Sequence, residues 1–244
     1  MSTLFLSDLH LEDSQPRTTG WLLGFLAGPA RDAEAVYILG DLFEYWIGDD
    51  ALSATAGEVA TAISTLSSSG VPCYFMHGNR DFLLGESYAA QAGITLVHEP
   101  LVIDLYGIPT LLLHGDILCT DDVKYQAFRL QSRSPEWQAA ILARPVEERL
   151  QMAREARDAS RTHMESVSME IMDVNETAVR EHFRKYDVAR IIHGHTHRPA
   201  VHSYVLDGSR KAERVVLADW YAESSYLSAT PQGLVSVQPA FGTA

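Results

Sequence analysis

Short apolar runs typical of β-strands recur along the first 200 residues, with amphipathic stretches of helical periodicity between several of them. The predicted strands in this part are Thr3–Ser7, Ala35–Leu39, Cys73–Met76, Ile94–Val97, Leu101–Leu105, Thr110–Leu113 and Arg190–Ile192. The predicted helices are Thr18–Ala27, Ala54–Ser68 and Ser87–Ala92. Because strands alternate with helices, the pattern predicts an α/β domain.

The pattern changes near the end of the chain, where four apolar runs are separated by turn material such as Asp207-Gly208-Ser209. These runs are Val201–Val205, Arg214–Ala218, Tyr226–Ala229 and Leu234–Gln238. They predict an antiparallel tail added to the sheet system. There is no internal repeat and no linker rich in Pro, Gly or Ser, so residues 1–244 are predicted to form a single domain.

The stretch Thr120–Glu176 carries no strand pattern and is predicted to be helical, with breaks at Pro135 and Pro145. Two sets of apolar residues are predicted to share helix faces: Trp137 with Ile141 and Leu142, and Val146 with Leu150 and Ala153. We interpret this stretch, called the insertion below, as a helical cap over the sheet edge.

The insertion holds eight of the 19 basic residues of the chain: Lys124, Arg129, Arg133, Arg144, Arg149, Arg154, Arg157 and Arg161. Acidic residues accompany them at Glu147, Glu148, Glu155 and Asp158. Composition alone therefore favours solvated helix faces over a binding role.

Composition narrows the function classes. The 244 residues are 46% hydrophobic and 21% charged, which excludes a disordered chain. No apolar run approaches the roughly 18 residues of a membrane span. The formal net charge of −13 argues against nucleic acid as the partner, because an acidic surface repels polyphosphate.

Two features favour a cytosolic location. The only cysteines, Cys73 and Cys119, give no disulfide framework, which fits a reducing compartment. The N-terminus reaches Asp8 with no basic segment before it, so no signal peptide is predicted.

Five predicted strands end in residues that can bind metal. The sequences at these ends are Asp8-Leu9-His10, Gly40-Asp41, Gly78-Asn79-Arg80-Asp81, His114-Gly115-Asp116 and His193-Gly194-His195-Thr196-His197. In open α/β sheets, ligand sites gather outside the carboxyl ends of the strands, so these side chains are predicted to converge. The candidate donors are Asp8, His10, Asp41, Asn79, His114, His195 and His197.

Seven donors are too many for one tetrahedral zinc and fit two divalent ions that share a carboxylate. Imidazole nitrogens mixed with carboxylate and amide oxygens favour Mn²⁺, Fe²⁺ or Zn²⁺ over Ca²⁺ or Mg²⁺. Two such ions about 3.5–4 Å apart are typical of phosphoryl-transfer sites. The remaining histidines are interpreted as structural or surface residues: His77, His98, His163, His182 and His202.

The order of these five motifs, from residue 8 to residue 197, resembles the calcineurin-like metallophosphoesterase superfamily. The resemblance implies a four-layer α/β/β/α sandwich with two metals at the sheet edge. It assigns Asp8, His10, Asp41 and His197 to one ion. It assigns Asp41, Asn79, His114 and His195 to the other, with Asp41 shared.

The chain departs from the superfamily at Arg80, where members usually carry a histidine that helps to protonate a poor leaving group. Arginine stays charged and cannot act as a general acid at neutral pH. The leaving group must then depart unprotonated, as a phosphate does from a pyrophosphate. Arg80 therefore points to a pyrophosphatase.

A finer resemblance is to the family of UDP-2,3-diacylglucosamine pyrophosphatases of lipid A biosynthesis. It rests on Ser7-Asp8-Leu9-His10-Leu11, Gly40-Asp41-Leu42-Phe43-Glu44, Gly78-Asn79-Arg80-Asp81-Phe82-Leu83 and His114-Gly115-Asp116-Ile117-Leu118-Cys119-Thr120-Asp121-Asp122, together with Gly194-His195-Thr196-His197-Arg198-Pro199. The resemblance implies metal-activated attack of water on the UDP α-phosphate, most often with Mn²⁺. It implies substrate contacts at Asn79, Arg80, Asp122, Ser160 and His195.

In this interpretation the insertion gains a role, because two acyl chains need an apolar slot and its basic residues can hold phosphates. Family members usually have polar and basic residues where this chain has Met164 and Val167, so those contacts are not carried over. A diacyl substrate also implies peripheral attachment to the cytoplasmic face of the inner membrane, with no obligate protein partner. The alternatives are a dinuclear phosphodiesterase for nucleotides or small diesters, and a scaffold without metals.

Overall fold

The computed structural model describes residues 2–166 and 173–239, with side chains described through residue 159, at 162 and from 173 onward. The strands are β1 Ser2–Leu6, β2 Ala33–Ile38, β3 Cys73–Met76, β4 Ile94–Val97, β5 Leu101–Leu105, β6 Ile108–Leu112, β7 Arg190–His193, β8 Ala200–Leu206, β9 Arg210–Val216, β10 Tyr226–Thr230 and β11 Gly233–Val237. The helices are α1 Pro16–Ala27, α2 Ala54–Ser68, α3 Glu86–Ala92, α4 Val123–Ser132, α5 Pro135–Leu142, α6 Val146–Ser166 and α7 Glu176–Lys185.

Two sheets form the centre of the molecule. The first has six strands in the order β11-β10-β1-β2-β3-β4, and β1 to β4 run parallel with α1, α2 and α3 as the connections. The second has five strands in the order β5-β6-β7-β9-β8. The predicted C-terminal tail is divided between them: the antiparallel pair β8–β9 extends the second sheet, and β10–β11 extends the first.

Three apolar clusters separate four layers. Leu22, Phe25 and other residues of α1, α2 and α3 pack with Leu4 and Leu6 on the outer face of the first sheet. Phe5 faces the other way, into a cluster between the sheets. Other residues of the second sheet pack against Val179 and Phe183 of α7. The predicted four-layer α/β/β/α sandwich is confirmed.

Helices α4, α5 and α6 occupy the insertion, and no described residue between 120 and 166 is in a strand. Pro135 is the first residue of α5, and Pro145 directly precedes α6, as the sequence predicts. Trp137 and Ile141 pack against the core of the first sheet, but Leu142 is exposed and does not share their face. None of the described helices is both long and apolar enough to cross a bilayer.

Candidate metal centre

The carboxyl ends of β1, β2 and β3 in the first sheet meet those of β6 and β7 in the second. Within each sheet, backbone hydrogen bonds join the loops that follow these strands: the N–H of Asp8 donates to the Gly40 carbonyl, and that of Gly194 donates to the His114 carbonyl. Between the sheets, the N–H of His195 donates to Oδ2 of Asp8 at 2.9 Å. All seven predicted donors lie in these loops. The structure therefore brings together the side chains that the sequence distributes over almost 190 positions.

One group of donors surrounds His197. Its Nε2 lies 3.3 Å from Oδ1 of Asp8 and 3.4 Å from Nε2 of His10. His10 Nε2 is in turn 3.9 Å from Oδ2 of Asp41. Asp8, His10 and His197 have ligand atoms within 4.8 Å of one another, as a shared cation requires.

A second group surrounds Asn79. Its Oδ1 lies 2.8 Å from Nε2 of His114 and 2.9 Å from Nδ1 of His195. His114 Nε2 is also 3.7 Å from Oδ1 of Asp41. One oxygen of Asp41 thus faces each group, although Asp8 also lies within 4.8 Å of the ligand atoms of Asp41 and His114. Either carboxylate is placed to be shared by two ions.

The backbone at these donors is strained. Asp8, His10, Asp41, His195 and His197 all adopt φ angles between 50° and 67°, a region that residues other than glycine rarely occupy. Strain of this kind persists only where the surrounding structure enforces it, and it concentrates at functional sites.

Glycines beside the donors permit this crowding. A Cβ atom on Gly78 would collide with Oδ1 and the backbone nitrogen of Asp41. A Cβ atom on Gly194 would collide with the Asp8 carboxylate and with Ser7. The Gly-Asn and Gly-His motifs are thus explained by close approach of the strand-end loops.

The buried charges favour a cation. Burial raises the pKa of Asp41 to about 6. Burial alone would lower the pKa of His114, but the carboxylates of Asp41 and Asp8 outweigh it and raise that pKa to about 9. Both shifts keep protons bound close to the buried carboxylates. A divalent cation that binds here would displace these protons.

The remaining donors agree with this interpretation. Burial and the neighbouring His114 lower the pKa of His195 to about 3, which keeps its imidazole neutral with a lone pair available. Burial alone would raise the pKa of Asp8, but hydrogen bonding by His197 and the charges of three nearby histidines bring it below its usual range. Asp8 is fully buried, and its Oδ1 faces Nε2 of His197 at 3.3 Å. The donor set therefore fits the metals that the resemblance implies.

Three of the imidazoles present one nitrogen to the centre and the other to an oxygen atom outside it: a hydrogen-bond acceptor for His114, and a carboxylate in ion-pair contact for His10 and His197. Nδ1 of His114 lies 2.9 Å from the Leu39 carbonyl, and Nδ1 of His10 lies 2.7 Å from Oε2 of Glu44. Nδ1 of His197 faces Asp219 at 3.8 Å. Partners of this kind fix the orientation of histidine ligands in metal sites.

Some residues around the centre are missing from the sequence-based prediction. The ring of Tyr221 stacks on His10 with centroids 5.0 Å apart, and Asp219 lies two residues before it. Both follow β9, so the strand-end rule that found the other donors also indicates this loop. Glu44 lies in an irregular loop with no periodic signal.

A cavity of about 430 Å³ extends from the centre beneath the insertion. Asn79, Arg80 and Tyr125 line its end at the metal centre. Its apolar lining includes Trp46, Phe82, Leu83, Phe128, Trp137, Ile141, Met152 and Ala156. These side chains come from both the sheet loops and the insertion helices, so the cavity exists only where the two meet.

The predicted substrate contacts differ in position. Arg80 and Asn79 lie at the cavity, and His195 lies in the second donor group. Asp122 caps helix α4 by accepting a hydrogen bond from the Tyr125 N–H at 2.9 Å, and it is not among the cavity residues. The side chains of Ser160, Met164 and Val167 lie outside the described residues.

Most of the described arginines of the insertion form neither simple solvated faces nor an open basic patch. Arg144, which lies just before α6, does pair with Glu148 in the first turn of that helix. Four others bind groups outside the insertion helices. Arg129 contacts Glu99 and Asp116, Arg133 donates to the Gly78 carbonyl, Arg149 pairs with Asp50, and Arg157 pairs with Glu44. Their main described role is to join the insertion to the loops beside the metal centre.

The chain was compared with a family model, with curated proteins and with solved structures. The family model described as calcineurin-like phosphoesterase matches residues 1–199. The chain is 50% identical over 234 residues to a UDP-2,3-diacylglucosamine hydrolase of Stenotrophomonas maltophilia, covering 93% of this chain and 94% of the relative. It is 48% identical over 245 residues to a UDP-2,3-diacylglucosamine hydrolase of Xanthomonas campestris pv. campestris, covering 98% of this chain and 99% of the relative. A solved archaeal phosphodiesterase aligns over 98% of the chain and all of its own length, with a TM-score of 0.48 and 10% identity.

Proposed function

Because the chain belongs to the calcineurin-like phosphoesterase family, we propose that it hydrolyses the pyrophosphate bond of UDP-2,3-diacylglucosamine. The products are UMP and 2,3-diacylglucosamine 1-phosphate (lipid X), which makes the reaction a step of lipid A biosynthesis. The observation that carries the proposal is the junction of the donor cluster with the apolar cavity at Asn79 and Arg80. A lipid-linked pyrophosphate needs both parts of such a site.

The seven donors are proposed to hold two divalent ions, with Mn²⁺ favoured by their mixture of nitrogen and oxygen ligands. One set is Asp8, His10, Asp41 and His197, and the other is Asp41, Asn79, His114 and His195. When bound, such a pair supplies Lewis-acid stabilisation of phosphate charge and lowers the pKa of a water molecule. The protein holds the donors in place through the strained loops and the acceptors behind the imidazoles.

Arg80 is proposed to bind the pyrophosphate. Its backbone is fixed, because its N–H donates to Oδ1 of Asp41 at 2.9 Å and its carbonyl accepts from the Trp46 N–H. Its Nε is buried with no hydrogen-bond partner among the described residues. A half-buried guanidinium group whose Nε has no described partner is suited, at the cavity end, to a phosphate oxygen that the substrate provides.

The insertion is proposed to act as a cap that receives the lipid half of the substrate. Aromatic side chains from both sides line the cavity, including Phe82, Phe128 and Trp137. Each buried methylene of an acyl chain contributes about 0.8 kcal/mol, so even partial insertion of two chains yields substantial binding energy.

Product analysis tests the proposed reaction. In H₂¹⁸O, the purified protein with Mn²⁺ should release UMP that carries ¹⁸O and unlabelled diacylglucosamine 1-phosphate. UDP-glucosamine without acyl chains should be cleaved with a kcat/KM at least about 100-fold lower, since the apolar contacts are lost. Label in the sugar phosphate would contradict attack at the α-phosphate, and equal efficiency on both substrates would contradict the lipid role of the cavity.

We also propose that the protein meets its substrate at the cytoplasmic face of the inner membrane. Helix α4 exposes Val123 and Leu130, at 74% and 79% of their surface, and Lys124 lies beside Val123. Apolar side chains next to a basic one are typical of peripheral attachment to anionic lipid.

Vesicle flotation tests this attachment. The wild-type protein should float with vesicles of phosphatidylethanolamine and phosphatidylglycerol. The double variant Val123→Ser and Leu130→Ser should bind at least about tenfold more weakly, since each apolar side chain contributes roughly 1.5 kcal/mol or more when buried. Val201→Ser, an exposed valine on β8, is the control and should float like the wild type. Equal flotation of all three proteins would exclude α4 as the attachment surface.

A further inference from the structure

Glu44 lies between a candidate metal ligand and the insertion. Its Oε2 is 2.7 Å from Nδ1 of His10, and its Oε1 is 2.8 Å from Nη2 of Arg157 on helix α6. Glu44 is only 7% exposed, so its carboxylate is largely shielded from water. A single buried carboxylate therefore connects helix α6 to the metal centre.

The backbone fixes Glu44 beside the loop that carries His10. The N–H of Glu44 donates to the Leu11 carbonyl at 3.1 Å, and the N–H of Leu11 donates to the Leu42 carbonyl at 2.9 Å. These bonds hold the two loops side by side, whereas the position of the Glu44 carboxylate depends on its own side-chain contacts.

Arg157, unlike Glu44, is partly exposed and is held by few other contacts. It lies at the edge of the lipid cavity, its side chain is 37% exposed, and its second carboxylate neighbour, Glu12, is 4.0 Å away. Its guanidinium group is also 6.0 Å from the ring of Tyr45. Its short contact with Glu44 is therefore the main described connection between this part of α6 and the sheet loops.

We propose that Glu44 is a positioning residue that holds His10 with Nε2 toward the metal centre, and that Arg157 makes this orientation depend on the seating of helix α6. The proposal rests on the metal role assigned to His10 above. An imidazole can bind metal through either nitrogen, and the partner of the other nitrogen decides which one. The Arg157 cation keeps Glu44 in place, so displacement of α6 loosens His10.

This arrangement couples substrate binding in the cavity to metal binding at His10. Arg157 and Met152 lie on the helix that closes one side of the cavity, so a lipid that seats α6 also strengthens the contact of Arg157 with Glu44. The metal affinity of the His10 site should then increase when the cavity is filled.

Mn²⁺ binding, measured from the EPR signal of free Mn²⁺ without substrate, tests the proposal. Glu44→Ala should weaken one of two sites by about 10–100-fold, the usual cost of losing an outer partner of a histidine ligand. Arg157→Ala should weaken the same site by a smaller factor, at least about threefold, and the double variant should be no weaker than Glu44→Ala, since Arg157 acts through Glu44. Arg154→Ala removes an exposed arginine from the same helix and should leave both sites unchanged.

The outcomes separate this inference from its alternatives. Glu44→Gln keeps an acceptor for His10 but loses the charge, so it should match Arg157→Ala and provides the test if Glu44→Ala does not fold. If Arg157→Ala binds Mn²⁺ like the wild type but raises KM, including in the Glu44→Gln background, Arg157 contacts substrate directly and the coupling is wrong. Wild-type protein that binds no Mn²⁺ would instead overturn the metal assignment itself.

Discussion

Replacing Asp41 with alanine should remove both bound metal ions and lower turnover by about 10³ or more, because metal-ion catalysis supplies several kcal/mol of transition-state stabilisation. The two oxygens of Asp41 face the two donor groups, 3.9 Å from His10 and 3.7 Å from His114. Metal content after dialysis, measured by plasma mass spectrometry, should fall from two ions per chain toward zero. EDTA should abolish the activity of the wild type, and Mn²⁺ should restore it.

His197→Ala is the matched comparison for this experiment. His197 belongs to one donor group only and is partly exposed, so its loss should weaken one ion and leave the other bound. Far-UV circular dichroism should show both variants folded, since the apolar clusters do not include these residues. Full activity of the wild type after dialysis against EDTA would refute the two-metal interpretation. Equal loss of metal from both variants would refute the sharing of Asp41.

The sheet system is predictable because each strand is marked by its own apolar run between breakers. Cys73–Met76, Ile94–Val97 and Leu101–Leu105 begin and end where the sequence predicts. The division of the C-terminal tail between two sheets is not predictable from periodicity. A hairpin pattern specifies the pairing of neighbouring strands, whereas the partner of β10 is β1, more than 200 residues away.

The same distinction applies to the candidate site. The seven donors follow strand ends, and parallel strands place their carboxyl ends together, so the cluster follows from local pattern and topology. Glu44 and the insertion arginines obey no such rule. Composition suggests solvated pairs within α6, whereas Arg149 and Arg157 bind Asp50 and Glu44, which lie about a hundred positions away. Only the docking of α6 against the sheet loops reveals those partners.

The chemistry of residue 80 completes the site. Arg80 lies between the donor groups and the apolar cavity, and its backbone N–H is already committed to Asp41. Because the backbone at Arg80 is held in place, its side chain extends toward a bound phosphate from a fixed position. Since arginine cannot donate a proton at neutral pH, its contribution must be charge stabilisation as the bridge between the α- and β-phosphates breaks.

Arg80→Ala should accordingly lower kcat on UDP-2,3-diacylglucosamine by about 10²–10³, the usual effect of removing one donor that meets developing charge. Arg80→Lys should recover only part of this loss, because an ammonium group lacks the planar pair of donors. Metal content should stay at the wild-type level in both variants, which separates this effect from that of Asp41→Ala. The measurement is steady-state UMP release at saturating substrate.

Arg80→His is the most informative variant, because it supplies the proton donor that a phosphate leaving group does not need. It should lose pyrophosphate cleavage, as Arg80→Ala does, yet gain activity over Arg80→Ala on a diester with an alkoxide leaving group. That gain should fall as pH rises through the imidazole pKa, near 6.5 in an unperturbed histidine, because the acid form is the active one. Wild-type turnover of Arg80→Ala on the lipid substrate would show that the leaving-group argument is wrong.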